Sequence, residues 1–226
     1  MKLDQPAVPA ALNALSAKNV NIPRATIQRL SVYLQVLEKL QLDGIEVISS
    51  EPLAKACDVN ASQIRKDLTY FGEFGVRGVG YNVKDLILSI TQSLGIDTRW
   101  NCVLIGVGNL GKALLSNREF PERGFTIVGA FDCDPFRIGE EIFGMEVVCS
   151  RRLKERIADL DVRIGIIATP PERAQRAANH LIDAGIKGIL NYAPARIAAP
   201  DDVHVEYVDF FHHLYSLAFN IAVKKD

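Results

Sequence analysis

The sequence predicts an α/β protein in two parts. A winged helix-turn-helix domain comes first, and a domain with a doubly wound parallel sheet follows. Three observations predict this. Residues 23–70 carry one long and two short helical patterns. A glycine- and aromatic-rich stretch, YFGEFGVRGVGY at 70–81, follows them directly. From Trp100 onward, short apolar runs alternate with helical segments.

The first helix is written in PRATIQRLSVYLQVLEKLQLDG. Ile27, Leu30, Leu34, Leu37 and Leu40 recur at helical spacing, with Val32, Tyr33 and Val36 between them. Pro23 suits its start and Gly44 its stop. In VISSEPLAKACDVN, Ser50 can cap a short helix that carries Pro52 in its first turn, with Leu53, Ala54 and Ala56 turned inward. Asn60 can cap the next helix, ASQIRKDLTYF, whose Ile64 and Leu68 form a buried pair at i and i+4. Two short helices around a tight turn, after a longer helix, make the helix-turn-helix pattern.

In the stretch at 70–81, Phe71, Phe74, Val76, Val79 and Tyr81 favour strands, and glycines stand where tight turns need them. A hairpin directly after the second short helix is a wing. NVKDLILSITQSLG then reads as a connecting helix over Val83, Leu86, Ile87, Ile90 and Leu94, ending at Gly95. The expected parts are residues 1–82 for the winged helix, 83–98 for a connection, 99–208 for the sheet domain and 209–226 for a terminal helix.

In the sheet domain, NCVLIGVG, FTIVGAFDCDP, MEVVCS, VRIGIIATP, KGILNYAP and DVHVEYV read as strands. Helices are expected from Arg151 to Ile157 and over PERAQRAANHLIDAG. The end, VDFFHHLYSLAFNIAVKKD, has Phe210, Leu214, Leu217, Ala218 and Ile221 on one stripe, with Phe211, Tyr215 and Phe219 beside it. Such a helix is too apolar to stand alone in water, and it needs cover from its own domain or from a partner subunit.

Composition narrows the function. The chain has 226 residues, 48% hydrophobic and 23% charged, enough for two cores. No apolar run approaches a membrane span, and the N-terminus lacks the apolar core of a secretory signal. The four cysteines, Cys57, Cys102, Cys133 and Cys149, show neither disulfide-framework nor zinc spacing. They read as reduced cytosolic thiols, with a redox-sensing thiol as the alternative, and no metal is expected. Net charge is -1; residues 1–82 hold 9 Lys+Arg against 8 Asp+Glu. Any nucleic-acid contact therefore depends on local placement of cations.

GVGNLG fits G-x-G-x-x-G at Gly106, Gly108 and Gly111, with a strand before it and a helix start after it. This is the dinucleotide fingerprint of a Rossmann domain. Gly106 permits the turn, Gly108 lets backbone approach a pyrophosphate, and Gly111 lets helix and sheet pack closely. The intervening Val107, Asn109 and Leu110 complete the loop, and the helix start offers free N–H groups to phosphates. Asp132, 21 residues past Gly111, is placed to bind a ribose diol and to repel a 2′-phosphate, which favours NAD(H) over NADP(H). Asp134 is the alternative. Thr169 and Pro170 follow one strand, and Asn191 and Pro194 follow the next, at the ends where such a sheet seats its ligand. The segment shows no evident acid–base pair; His204, His212 and His213 read as packed or surface residues.

Taken in order, NASQIRKDLTYFGEFGVRGVGY, GVGNLG, GAFDCDP, ATPPERA, GIKGILNYAP and VDFF resemble the Rex family of redox-sensing transcriptional repressors. The likeness runs from Pro23 to Val223. It implies a homodimer that binds a palindromic DNA operator when NADH is low and leaves it when NADH binds, with NAD+ competing more weakly. It also implies that the C-terminal helix is exchanged between subunits. The helix at 61–70 would enter the major groove, with Ser62, Gln63, Arg65, Lys66 and Tyr70 near bases or phosphates, and Arg77 at the wing tip would reach a minor groove. For Lys66 and Asp67 a solvated helix face is the competing reading. Gly106 to Gly111 and Asp132 would hold NADH or NAD+, with Thr169 and Pro170 beside them. Asn191, Pro194 and Phe210 would lie near the nicotinamide. An apolar seat there would favour the neutral reduced ring, because burying the oxidised ring's charge costs desolvation. Two positions depart from some members: Gln35 stands for an Arg and Asn117 for a Tyr, the two partners of an aspartate that is here Asp209. The function expected is a cytoplasmic repressor, not an enzyme. The alternatives are an NAD-dependent dehydrogenase with a helical accessory domain, or a sensor of an acyl-CoA nucleotide.

Overall fold

The computed structural model describes residues 22–72, 74–76 and 78–223. The chain forms two compact units that divide between Thr98 and Arg99.

The first unit contains α1 (Arg24–Leu42), β1 (Val47–Ile48), α2 (Ser50–Ala56), α3 (Ala61–Thr69), β2 (Gly75–Val76), β3 (Gly80–Asn82) and α4 (Val83–Leu94). The strands form a small antiparallel sheet in the order β1-β3-β2. The β2–β3 hairpin is the expected wing. Gly80 sits at φ +112, where a Cβ would meet the Ile48 carbonyl oxygen at 2.6 Å. Leu30, Tyr33, Leu34 and Leu37 of α1 are buried together with Leu53, Ile64, Leu68 and Tyr81. The buried face of α1 thus includes Tyr33 and leaves Ile27 about one-third exposed (36%), a small rotation from the stripe expected. Asn60 caps α3 by accepting from the Gln63 N–H at 2.8 Å. The cap position of α2 falls to Ser49 rather than Ser50, without a side-chain bond. The helix expected to connect the two parts packs instead into this unit: Val83, Leu86 and Ile90 of α4 complete its core. Its apolar stripe needs burial, and α1 supplies the facing surface.

The second unit contains β4 (Trp100–Ile105), α5 (Asn109–Ser116), α6 (Glu119–Glu122), β5 (Phe125–Asp132), β6 (Glu141–Ile142), β7 (Met145–Cys149), α7 (Leu153–Arg156), β8 (Val162–Ile167), α8 (Pro171–Asp183), β9 (Gly188–Asn191), β10 (His204–Tyr207) and α9 (Phe210–Val223). The sheet order is β10-β9-β8-β4-β5-β7-β6, parallel except for β6 at one edge. The chain builds outward from β4 through β5 to β7, then returns to β8 on the other side. That reversal opens a crevice beside the end of β4. Along β4, Val103 and Ile105 face a core with α8, while Cys102 and Leu104 face one with Leu114 of α5. Between β5 and β7 a turn and the short β6 hairpin replace the helix that a regular alternation would place there. Among the described residues no helix is long and apolar enough to cross a membrane, and no acidic, His or Cys cluster could hold a metal ion.

Helix α9 buries none of its side chains in this single chain. Phe210, Phe211, Leu214, Leu217, Phe219 and Ile221 are all more than half exposed.

Candidate functional sites

The glycine loop is built from the end of β4 into the first turn of α5. Gly106 takes φ +99, and a Cβ there would lie 2.5 Å from the Ala168 carbonyl oxygen. At Gly111 a Cβ would lie 2.0 Å from the Gly106 carbonyl oxygen, so only glycine lets α5 come this close. Gly108 has nothing within 4 Å of that position, so this side of the loop is open. Asn109 and Leu110 begin α5 behind it.

The peptide of Val107 is held from both sides. Its N–H donates to Asp132 Oδ2 at 2.8 Å, and its carbonyl accepts from the Arg137 guanidinium. Asp132 is buried, and its other oxygen accepts the N–H groups of Cys133 at 2.7 Å and Asp134 at 3.0 Å. Three backbone donors therefore occupy the carboxylate that the sequence reading expected at a ribose. Each oxygen has two lone-pair sites, so Oδ2 retains one for a hydroxyl. Asp134 accepts from the Phe136 N–H and pairs with Arg137.

A cavity of about 830 Å³ opens on this loop. Gly106, Gly108, Asp132, Thr169 and Pro170 share its wall, as their sequence positions suggested. Thr169 Oγ1 is buried without a hydrogen-bond partner. Asn191, Pro194 and Phe210 are not on that wall. Asn191 is fully buried and spends its amide on the loop after β9: Nδ2 donates to the Ala193 and Ala195 carbonyls, and Oδ1 accepts from the Ala193 N–H. Pro194 is exposed on that loop, and the Phe210 ring lies 6.5 Å from that of Tyr192. The wall also carries residues that motif reading missed: Arg137, Arg151, Arg173, Arg176 and His180. The spacing of Arg173, Arg176 and His180 along one face of α8 was a usable signal.

The thiols divide by position. Burial pushes the Cys57 and Cys102 thiols up to about 11, so they stay protonated and inert. Cys133 is exposed on the cavity wall and accepts from Arg173 at 3.3 Å.

In the first unit, α3 presents Ser62, Arg65 and Lys66 to solvent. Ser62 donates to the capping oxygen of Asn60 at 2.5 Å, and Arg65 donates to Ser50 Oγ at 2.7 Å. Tyr70 closes the helix, half exposed. Gln63 donates its amide to Asp67 at 2.9 Å, so it is partly committed within the unit. Arg77 lies outside the described residues.

Asp67 is not on a solvated face. Its side chain is buried and receives Arg29 through both oxygens, at 2.6 and 2.7 Å, with Tyr33 OH at 2.8 Å and Thr26 Oγ1 at 3.0 Å. Burial raises its pKa, but hydrogen bonds from Arg29, Tyr33, Gln63 and Thr26 outweigh that and hold it below the ordinary value. This network ties α3 to α1 and so fixes the angle of the exposed face. Thr26, Arg29 and Tyr33 stand at i, i+3 and i+7 on α1, a polar stripe that could have betrayed it.

Of the residues at the two departures, Asn117 accepts the Glu119 N–H at 2.8 Å, and Gln35 is exposed on α1. Asp209 accepts the Phe211 N–H at 2.9 Å at the start of α9.

The comparisons with known proteins agree with this architecture. Residues 21–69 match the family model described as "Putative DNA-binding protein N-terminus", and residues 97–195 match the CoA binding domain. The chain is 64% identical to the redox-sensing transcriptional repressor Rex of Solidesulfovibrio magneticus, over 92% of this chain and 94% of that one. It is 67% identical to the Rex of Maridesulfovibrio salexigens, over 91% of this chain and 98% of that one. Among solved structures it is similar to RSP, a Rex-family repressor, in complex with β-NAD+ and operator DNA, with TM-score 0.86 and 37% identity, covering 91% of this chain and 95% of that one. RSP in complex with β-NADH gives TM-score 0.83 and 36% identity, covering 91% and 97%. A wing beside an exposed basic helix, a glycine loop open at Gly108 and identities of this size over nine-tenths of the chain lead to one conclusion: the chain belongs to the Rex family of redox-sensing transcriptional repressors.

Proposed function

We propose that this protein is a homodimeric, cytoplasmic repressor that binds a palindromic operator through α3 and the wing, and that NADH in the glycine-loop cavity releases it. The observation that carries this reading is the pairing, in one chain, of an exposed basic α3 with a dinucleotide loop whose Gly108 side is open. Ser62, Arg65, Lys66 and Tyr70 contact bases or phosphates, with Gln63 reaching them through what its bond to Asp67 leaves free. Arg77 enters a minor groove from the wing. The dinucleotide lies across the ends of the parallel strands, with its pyrophosphate at Gly106–Gly111. Its adenosine falls on the side of Asp132, Thr169 and Pro170. Its nicotinamide falls toward Asn191, Pro194 and Phe210, where Asn191 acts by shaping the loop. RSP, crystallised with β-NAD+ and operator DNA and with β-NADH, supports the same two ligands here. The chain is a regulator in this reading, and NADH is sensed rather than consumed.

Release works as a population shift. Two recognition helices must stand about one DNA turn apart, ~34 Å, to read both half-sites. NADH moves the dimer away from that spacing only by as much as it prefers the other state. The test is a gel-shift series on a palindromic A·T-rich operator at one fixed salt concentration, with NADH, NAD+ and NADPH. NADH should release the DNA at concentrations where NAD+ and NADPH do not. Arg77→Ala and Lys66→Ala should each weaken the shifted band with NADH affinity unchanged; loss of both activities together contradicts the assignment.

Helix α9 supplies the dimer. A helix with this many exposed apolar side chains, burying none of them on its own chain, is stable in water only when covered. Exchange of α9 between subunits provides that cover. A chain ending at Asp209 should elute as a monomer or aggregate where the full chain elutes as a dimer. A dimer of unchanged affinity would exclude the exchange.

A further inference from the structure

The chain passes from β9 to β10 without a helix. These strands are parallel neighbours, and such a pair is usually joined by a helix that crosses a face of the sheet. Residues 192–203 make the crossing as irregular backbone instead. Irregular backbone does not pair its own N–H and C=O groups, so other groups must do so. Three side chains share the task. Asn191 holds Ala193 and Ala195 at the start of the link. Further on, Tyr207 Oη accepts from the Ile197 N–H at 3.2 Å and donates to the Ile197 carbonyl at 3.3 Å. Gln175 takes the next residue from both sides: Oε1 accepts from the Ala198 N–H at 2.7 Å, and Nε2 donates to the Ala198 carbonyl at 3.0 Å. Its second amide proton goes to Asn179 Oδ1 at 2.9 Å, one turn along α8, so three bonds fix the amide's orientation.

Asn191 and Tyr207 belong to the two strands that the link joins. Gln175 does not. It stands in the first half of α8, just after Thr169 and Pro170 of the cavity wall. Its side chain is exposed, so packing in the core does not account for it. Beneath it Ile197 and Val203 of the link share a core with Ala174, Ala177 and Ala178 of α8. That apolar contact holds the link down but allows it to slide, because it has no direction. The bonds of Gln175 to Ala198 have direction and set where it stops.

We propose that Gln175 is a positioning residue for the nicotinamide seat. It clips the link that carries Pro194 to the helix whose start lies on the adenosine side. This rests on the reading in which the nicotinamide lies toward Asn191, Pro194 and Phe210. An apolar seat prefers the neutral reduced ring as long as it stays dry. A link released at Ala198 shifts, admits water and lowers that preference. The adenosine and pyrophosphate seats keep their geometry, because none of their groups bonds to the link.

The experiment is calorimetric titration of the full chain with NADH, NAD+ and adenosine diphosphate ribose, which lacks the nicotinamide. The wild type is compared with Gln175→Ala and Gln175→Glu. In Gln175→Ala, NADH should bind about threefold to tenfold more weakly, and the NADH:NAD+ affinity ratio should move toward one. Adenosine diphosphate ribose should bind as it does to the wild type. Gln175→Glu keeps an acceptor for the Ala198 N–H, loses the donor, and should lie between. Unchanged NADH affinity and selectivity in Gln175→Ala overturn the proposal. An equal loss for all three ligands also overturns it, since that is the mark of general loosening. A wild type that binds neither NADH nor adenosine diphosphate ribose sinks the dinucleotide reading itself, and this proposal with it.

Discussion

Alanine at Gly111 is expected to abolish NADH binding and to destabilise the second unit by about 3 kcal/mol or more. The reason is a collision between backbones. The added Cβ would sit 2.0 Å from the Gly106 carbonyl oxygen, far inside any tolerated contact. No side chain can rotate away to relieve it. Either α5 lifts off the sheet, opening a void against Leu104, or the loop moves at Gly106. A Cβ on Gly111 would also lie 3.5 Å from Leu104 Cδ2, so the helix has no room to slide sideways there. Both routes displace the N–H groups proposed to meet the pyrophosphate. Gly108→Ala is the matched control. Its Cβ meets nothing within 4 Å, and its φ of -73° suits any residue. That variant should unfold like the wild type, yet bind NADH at least about tenfold more weakly, because the methyl group fills the approach to the loop. Urea unfolding reads the first effect, and quenching or enhancement of dihydronicotinamide fluorescence reads the second. Wild-type NADH affinity in Gly108→Ala would show that the phosphates are seated elsewhere.

Loss of the Asp67 carboxylate should do comparable damage to the first unit. Asp67→Ala leaves Arg29, Tyr33, Thr26 and Gln63 facing a cavity, with one charged group stripped of its partner. Breaking a buried pair in this way costs about 3–5 kcal/mol. That is a large share of the total stability of a small unit. Asp67→Asn should fall between, because its amide keeps some of the bonds and loses the charge. Operator binding should disappear with the carboxylate while NADH binding persists, since the glycine loop belongs to the other unit. A variant unchanged in denaturant unfolding would mean that the network is ornamental. The same group sets an acid limit. Its folded-state pKa lies below the ordinary carboxyl value of 3.8, so its contribution is fully present above that value. It is lost as pH falls below 3.8 and through the folded-state value, when the unfolded chain takes up the proton first. Unfolding curves between neutral pH and pH 2 should show the first unit losing stability in that range, and Asp67→Asn should flatten the dependence.

Which features could be read in advance follows from how far their causes reach along the chain. Asn60 caps a helix three residues on, Ile64 and Leu68 fall on one face, and Gly106 permits a turn within its own strand–loop–helix unit. Such causes act over a few residues, so composition and spacing reveal them. The same holds for the wing and for the order of strands and helices after Trp100. The apolar character of α9 was equally plain, although no single chain covers it. Other features depend on partners brought together only by folding. Asp67 meets Thr26, Arg29 and Tyr33 across 34 to 41 residues, and nothing around it distinguishes it from a solvated aspartate. Asp132 was placed correctly at the end of its strand, but its three backbone bonds show that it also holds the loop. Two of those donors are the next two residues in the chain, and the third lies 25 residues away. Helix α4 looked like a connection because its stripe says that it must be buried, not against what. The arginines of α8 became a wall of the cavity only when the sheet brought the carboxyl ends of β4, β5, β7 and β8 together at one end. The sequence by itself determined the local elements, the two domains and the glycine loop, because periodicity, capping and φ requirements are short-range. The tertiary structure alone decided which charges are buried, paired or left facing a ligand, because desolvation and ion pairing depend on neighbours distant in the chain.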